Sequence, residues 1–292
     1  MPLKAILNSL ILGAASSIFT IGFNFFGAIL LFFSYFSPLP IFIVALFYGL
    51  YGTIFSALIS VSVIVLMTSA PIGIIFFIAN ILPSIIIVID KTNNKFSYTN
   101  FISKLTFING FSYAAIMLLY PDKINTIIKN FSDYLQNSLG NNLKIETSIL
   151  DMTPSIIIST WCLILLLNFI IARKILEKGF LKFKDKILDL KLQPWLIIIF
   201  ILFLIPSALL NEENSKWFRS LALIYAIPIT IQGICVIHTL LKQNKNGAFL
   251  IYSFYTMIFF IPFSIPIITA AGVLDHIYNF KNLKKINNTD ID

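Results

Sequence analysis

The chain is predicted to be an all-α integral membrane protein: a polytopic transmembrane bundle of about eight or nine helices with two amphipathic interfacial helices. Three observations carry that expectation. Charged residues make up only 12% of the 292, against about 25% in an ordinary soluble domain. Hydrophobic residues reach 58% and mean hydropathy is +0.90, more apolar surface than one water-soluble core of this length can hide. From Ala5 to Ile89 there is no Lys, Arg, Asp or Glu. That run is several times the ~20 residues needed to cross a hydrocarbon core, where a central charge costs about 2.5–3.5 kcal/mol.

Breakers divide this first run: Gly22, Ser37-Pro38-Leu39-Pro40, Tyr48 to Gly52, and Ala70-Pro71-Ile72-Gly73. They predict spans over 5–21, 23–36, 39–67 (bent or split near Gly49–Gly52) and 71–89. Lys4 and the apolar residues after it fit a signal peptide, but the run continues without a cleavage site, so it reads as a retained helix. A short loop with Lys91, Lys95 and Lys104 precedes a span over 105–121. In 122–152, Ile124, Ile127, Ile128, Phe131, Leu135 and Leu139 recur at helical spacing. Asp122 can open that helix and Gly140-Asn141 can end it, giving an amphipathic helix on the membrane surface.

A span over 154–172 leads to the most basic segment: Arg173, Lys174, Lys178, Lys182, Lys184, Lys186 and Lys191. Phe180, Phe183, Ile187 and Leu190 predict a basic interfacial helix there. Spans over 193–210 and 218–241 follow, then a last apolar run, 247–274, with Pro262 and Pro266. The excess of Lys and Arg in 173–191 puts that loop in the cytoplasm, and alternation puts 122–152 outside. One crossing by 247–274 would then leave Lys281, Lys284 and Lys285 outside, against the same rule; the alternative is that the proline-bearing segment turns back within the bundle. The whole of 1–292 is read as a single integral membrane domain ending in a polar tail, 276–292. Ile, Phe, Asn, Lys and Tyr are abundant, an A/T-rich codon set that suits a bacterium, so the expected location is the inner (plasma) membrane.

The net charge of +8 sits in short loops, so it reports topology, and no nucleic-acid partner is expected. No nucleotide, zincin or nucleophile-elbow fingerprint is present, and neither a cofactor nor enzymatic chemistry is expected. Cys162 and Cys235 lie inside apolar runs as small buried hydrophobes. Cys235 with His238 offers two metal ligands without a third, so no metal is expected. Asp275-His276 are neighbours that do not face each other on a helix.

Neutral polar residues occur at membrane depth: Asn24, Asn80, Asn109, Asn168 and Gln232. Asn24, Asn80, Asn168 and Gln232 are the candidates for a small-solute site, against the competing reading of interhelical hydrogen bonds worth roughly 0.6–2 kcal/mol each. Asn80 stands out because Pro83 frees a backbone carbonyl nearby. Ser9, Gly13 and Ser17 form a row of small residues that permits close helix approach. It is a candidate for docking another membrane subunit, or for packing within the chain.

The Pro-x-Pro step of Ser37–Pro40, Pro71, Leu82-Pro83, and Gly272-Val273-Leu274-Asp275 before the tail His276 to Lys281 resemble one family of bacterial multi-pass membrane proteins. It is the YybS-like family, domain of unknown function 2232. The family's Arg after the last motif is Lys281 here. The resemblance implies a helical fold like that of the substrate-binding S components of energy-coupling-factor transporters, where a membrane component of the rod-shape machinery is also grouped. The expected function is a small-solute-binding transporter component. The alternative is a non-catalytic membrane scaffold in envelope growth or division.

Overall fold

The computed structural model describes residues 2–27, 32–93, 96–139, 150–183, 185–261 and 263–280, without the side chains of 23–26, 135–139 and 212–214. The described residues are mostly helical, with no strand among them. Among the described residues, six stretches are long and apolar enough to cross a membrane: Leu3–Gly22, Phe32–Met67, Ala70–Thr92, Tyr98–Leu119, Thr153–Glu177 and Ser215–Lys242. By its own contacts the chain divides into two compact units, 1–105 with 161–185, and 106–160 with 186–292.

In the first unit, α1 (Leu3–Phe26) passes through Gly22 without stopping. The expected boundary there is wrong, because one glycine costs a helix only about 1 kcal/mol. No separate 23–36 span forms among the described residues. A helical turn at 32–34 and a bend at 35–37 lead into α2 (Pro38–Met67).

α2 is two limbs joined at Gly49, whose φ of 69° and ψ of −152° lie outside the helical region. The contacts with α1 show what the break does. Asn8 meets Tyr48 and Ser16 meets Ser37, so the first limb runs antiparallel to α1. Ser9 faces Gly52 and Gly13 faces Ser56, so the second limb runs parallel to it. The chain therefore reverses at Gly49, as the glycine cluster there leads one to expect. Only glycine occupies this backbone region without strain. Gly49→Ala should cost about 1–3 kcal/mol although no atom lies near its Cβ; an unchanged thermal midpoint in detergent would contradict the reversal. The first limb, 38–48, rises only about 16 Å, half a hydrocarbon core.

Next come α3 (Ala70–Phe76), a π-helical turn (Phe77–Ile81) and α4 (Leu82–Thr92), one continuous span. Ile21, Ile41, Ile64, Phe76 and Ile81 make the apolar core that ties α1, both limbs of α2 and this span together. The start of α5 (Tyr98–Leu119) and the second half of α7 (Thr153–Glu177) complete the unit. Phe101 and Phe169 pack on the edge of Phe42 there.

The expected basic interfacial helix in 173–191 does not form. α7 carries Arg173 and Lys174 through to Glu177. Beyond it the described residues up to Gln193 hold only the short 3-10 turn Ile187–Asp189. The four residues meant to share a face are divided: Phe183 covers Arg173, Leu190 is buried, and Phe180 is exposed. Tertiary contacts of single side chains override the helical spacing.

In the second unit, α8 (Pro194–Leu209) runs antiparallel to α9 (Glu212–Lys242). Phe203 lies against Phe218 and Tyr225, while Leu192, just before α8, reaches Gln232. The last apolar run is two helices, α10 (Gly247–Phe260) and α11 (Ser264–Tyr278), not one. α9 and α11 cross at glycines: a Cβ on Gly233 would collide with the Ile268 carbonyl, and one on Gly272 with the Ile229 carbonyl. α6 (Pro121–Leu139) leaves Ile127 and Phe131 uncovered, the arrangement of an amphipathic helix resting on a lipid surface. Its expected end at Gly140-Asn141 lies outside the described residues.

Candidate functional site

A helix that begins inside a membrane leaves backbone donors without water to satisfy them. The start of α2 solves this with its sequence. Pro38 and Pro40 have no N–H to satisfy, and the Leu39 N–H donates to the Phe36 carbonyl at 3.0 Å. The carbonyls of the bend are met by side chains. Ser37 O accepts from the Ser16 hydroxyl, and Tyr35 O accepts from Asn168 Nδ2 at 2.8 Å. Ser16 belongs to the Leu3–Gly22 span, while Asn80 and Asn168 sit close to the middle of their spans. The bend at 35–37, before α2, is thereby level with the middle of the Ala70–Thr92 and Thr153–Glu177 spans.

A second irregularity faces it. Pro83 cannot donate to the carbonyl four residues back, Ala79, and the turn widens into the π-helix Phe77–Ile81. The freed Ala79 carbonyl accepts from Trp161 Nε1 at 3.2 Å. It is this indole, and not Asn80, that satisfies the proline-released group. Asn80 is held loosely: its Nδ2 donates to Phe76 O at 3.4 Å, and its Oδ1 accepts from the Ser37 hydroxyl at 3.5 Å. Both lie at the weak limit of hydrogen bonding.

Asn168 differs. Its Nδ2 donates to both Tyr35 O and Ile164 O at 2.8 Å, which fixes the orientation of the amide, since only the nitrogen can face two carbonyls. The Oδ1 is then left buried with no partner. Asn80 and Asn168 are 3% and 1% exposed. Together with Ser16, Ser37 and Trp161 they form a neutral polar cluster in an apolar unit. Chemically it can hold an uncharged group: one buried acceptor is free, and two long hydrogen bonds are exchangeable.

The other expected site residues lie elsewhere. Asn24 is on α1, but its side chain lies outside the described residues. Gln232 belongs to the second unit and is fully engaged. Its Oε1 accepts from the Leu192 N–H at 2.9 Å, and its Nε2 donates to Gly272 O at 3.3 Å and Asp275 Oδ2 at 3.0 Å. Gln232 thus ties a loop to two helices. The Ser9, Gly13, Ser17 row is occupied by the chain itself: Gly13 lies on the Ser56 backbone, and the Ser9 and Ser17 hydroxyls bond back to Ala5 O and Ala14 O. Both serines are wholly buried, so the row offers no free surface for another subunit. Cys235 and His238 have separate partners, Ile187 O and the Tyr255 hydroxyl.

Sequence reasoning missed a fully buried cation. Arg173, read as a loop cation, is 1% exposed. Its guanidinium grips both carboxylate oxygens of Asp185 at 3.0 and 3.1 Å and the Asp185 carbonyl at 2.9 Å. Tyr98 and Phe183 cover it at 4.2 and 4.3 Å, with Phe96 and Phe169 further out. Asp185 also accepts the Tyr98 N–H at the start of α5. The available signal was the aromatic set Phe96, Tyr98 and Phe183 beside the one Arg among lysines. Asp90 is likewise buried, paired with Lys104, and Lys91 donates to Leu46 O.

One family model, described as "Predicted membrane protein (DUF2232)", matches residues 143–276, just under half of the chain. Gly272–Asp275 fall inside the match, whereas Ser37–Pro40, Pro71 and Leu82-Pro83 fall outside it. No curated protein and no solved structure matches the chain. Composition, the six long apolar stretches and this match agree on a multi-pass membrane protein.

Proposed function

We propose that this protein is the membrane-embedded, solute-binding component of a transport system. Its solute is small and uncharged, with N–H or O–H groups to donate. The reading is carried by one observation, the buried and unpartnered Asn168 Oδ1 beside the bend at 35–37 that leads into α2. An irregular backbone at membrane depth is tolerated where it is buried in protein or lines a cavity, and transporter sites are commonly built at broken helices. An unsatisfied buried acceptor costs about 1–3 kcal/mol, a cost that a donor group on a bound solute would offset. Asn80, with its two long bonds, is the second contact. No charged side chain belongs to the cluster, so the solute is uncharged.

Small molecules extracted from the protein purified in mild detergent test the reading. Mass spectrometry should find one solute enriched with the wild type and depleted from Asn168→Leu and Asn80→Leu. Equal recovery from all three, or no solute from any, would return both amides to plain packing.

A further inference from the structure

We infer that α10 and α11 form a re-entrant hairpin, which enters and leaves the membrane on the face that bears the 186–193 segment. Three contacts within the second unit place its ends. Cys235 Sγ donates to Ile187 O at 3.2 Å, and Gln232 takes the Leu192 N–H, so the 186–193 segment lies beside the C-terminal third of α9. α10 starts at that same end, because Gly247 follows the short turn 243–246 and sits against the carbonyls of Leu241 and Lys242. α11 finishes beside the same 186–193 segment: Asp275, in its last turn, accepts from the same Gln232 that holds Leu192.

Length gives the second argument. α10 has 14 residues and α11 has 15, or about 21 and 22 Å of rise, short of a ~30 Å core. α10 is also inclined: Tyr255, in its second half, is still level with His238, near the end of α9. Chemistry gives the third. The tip between the helices carries Phe259, Phe260 and Phe263, which are 80%, 73% and 87% exposed. No charged residue lies between Lys245 and Asp275. Such a tip stays in lipid. The hairpin also removes the conflict over topology: α11 ends on the side of Lys186, Lys191, Lys242 and Lys245, and the sequence after it holds Lys281, Lys284 and Lys285, the pattern a positive-inside arrangement requires.

Single cysteines in a Cys162→Ser, Cys235→Ala background test this with a membrane-impermeant maleimide on intact cells and on inverted vesicles. Every variant is first checked for monodisperse behaviour in detergent. Lys186→Cys, Lys245→Cys and Asn287→Cys should label from one side, Asn211→Cys from the other, and Phe263→Cys from neither. Labelling of Asn287→Cys from the side of Asn211→Cys would overturn the hairpin, as would labelling of Phe263→Cys from either side.

Discussion

Arg173→Met should be among the most damaging single substitutions in this chain, at a cost of about 1.5–3 kcal/mol. The arginine is buried but Asp185 is 28% exposed, so its carboxylate loses charge-assisted hydrogen bonds that water replaces only in part. Here Asp185 would keep only the Tyr98 N–H, and the aromatic faces of Tyr98 and Phe183 would lose the cation between them. Arg173→Lys should recover little, because an ammonium cannot make the two-pronged contact or spread over two rings. The measurement is thermal unfolding in detergent alongside trypsin cleavage at Lys182. The wild type should resist cleavage and both variants should be cut. Wild-type resistance in Arg173→Met would mean that the clamp does not hold the 178–185 segment.

Gly13→Leu is expected to cost about 3 kcal/mol, the upper end for overpacking. A Cβ there would run into the backbone of Ser56 as well as the Ile59 side chain, and backbone cannot swing aside. The loss should appear in the isolated protein, since the row lies against α2 of the same chain. A variant of normal thermal stability that fails only to recover another membrane subunit would reverse this and make the row a docking face.

The class of fold was readable because lipid penalises charge at depth, and Ala5 to Ile89 carry no Lys, Arg, Asp or Glu. Breaks were readable where the residue itself forbids a helix. Pro38 and Pro40 announce the start of α2, and Gly49 its reversal. Gly22 misled because glycine in a helix is only a weak penalty, which neighbours on α1 overcome. The interfacial helix in 173–191 misled for the opposite reason: periodicity was present, but Arg173 draws Asp185 and Phe183 inward. That pull depends on contacts far apart in sequence, with Phe96 and Tyr98, which spacing cannot reveal.

The site was half legible. Asn80 and Asn168 were distinguished only as amides at mid-span, and the structure brings both to the bend before Pro38. Gln232 had the same signature and turned out to tie Leu192 to Asp275 in the other unit. What separates the two kinds is satisfaction of the amide. Both polar atoms of Gln232 have a partner, while Asn168 keeps a buried oxygen without one. That difference is set by neighbouring backbone carbonyls, which no residue pattern encodes.

The central claim is tested most directly by thermal unfolding of the protein in lipid nanodiscs against a panel of small uncharged amides, polyols and heterocycles. A binder present at 100 times its Kd stabilises by about 2.7 kcal/mol. The account predicts at least one solute that raises the wild-type midpoint in a concentration-dependent way, with the rise abolished in Asn168→Leu and reduced in Asn80→Leu. A panel that leaves the wild type unmoved, or a solute that stabilises Asn168→Leu as much as the wild type, would contradict it.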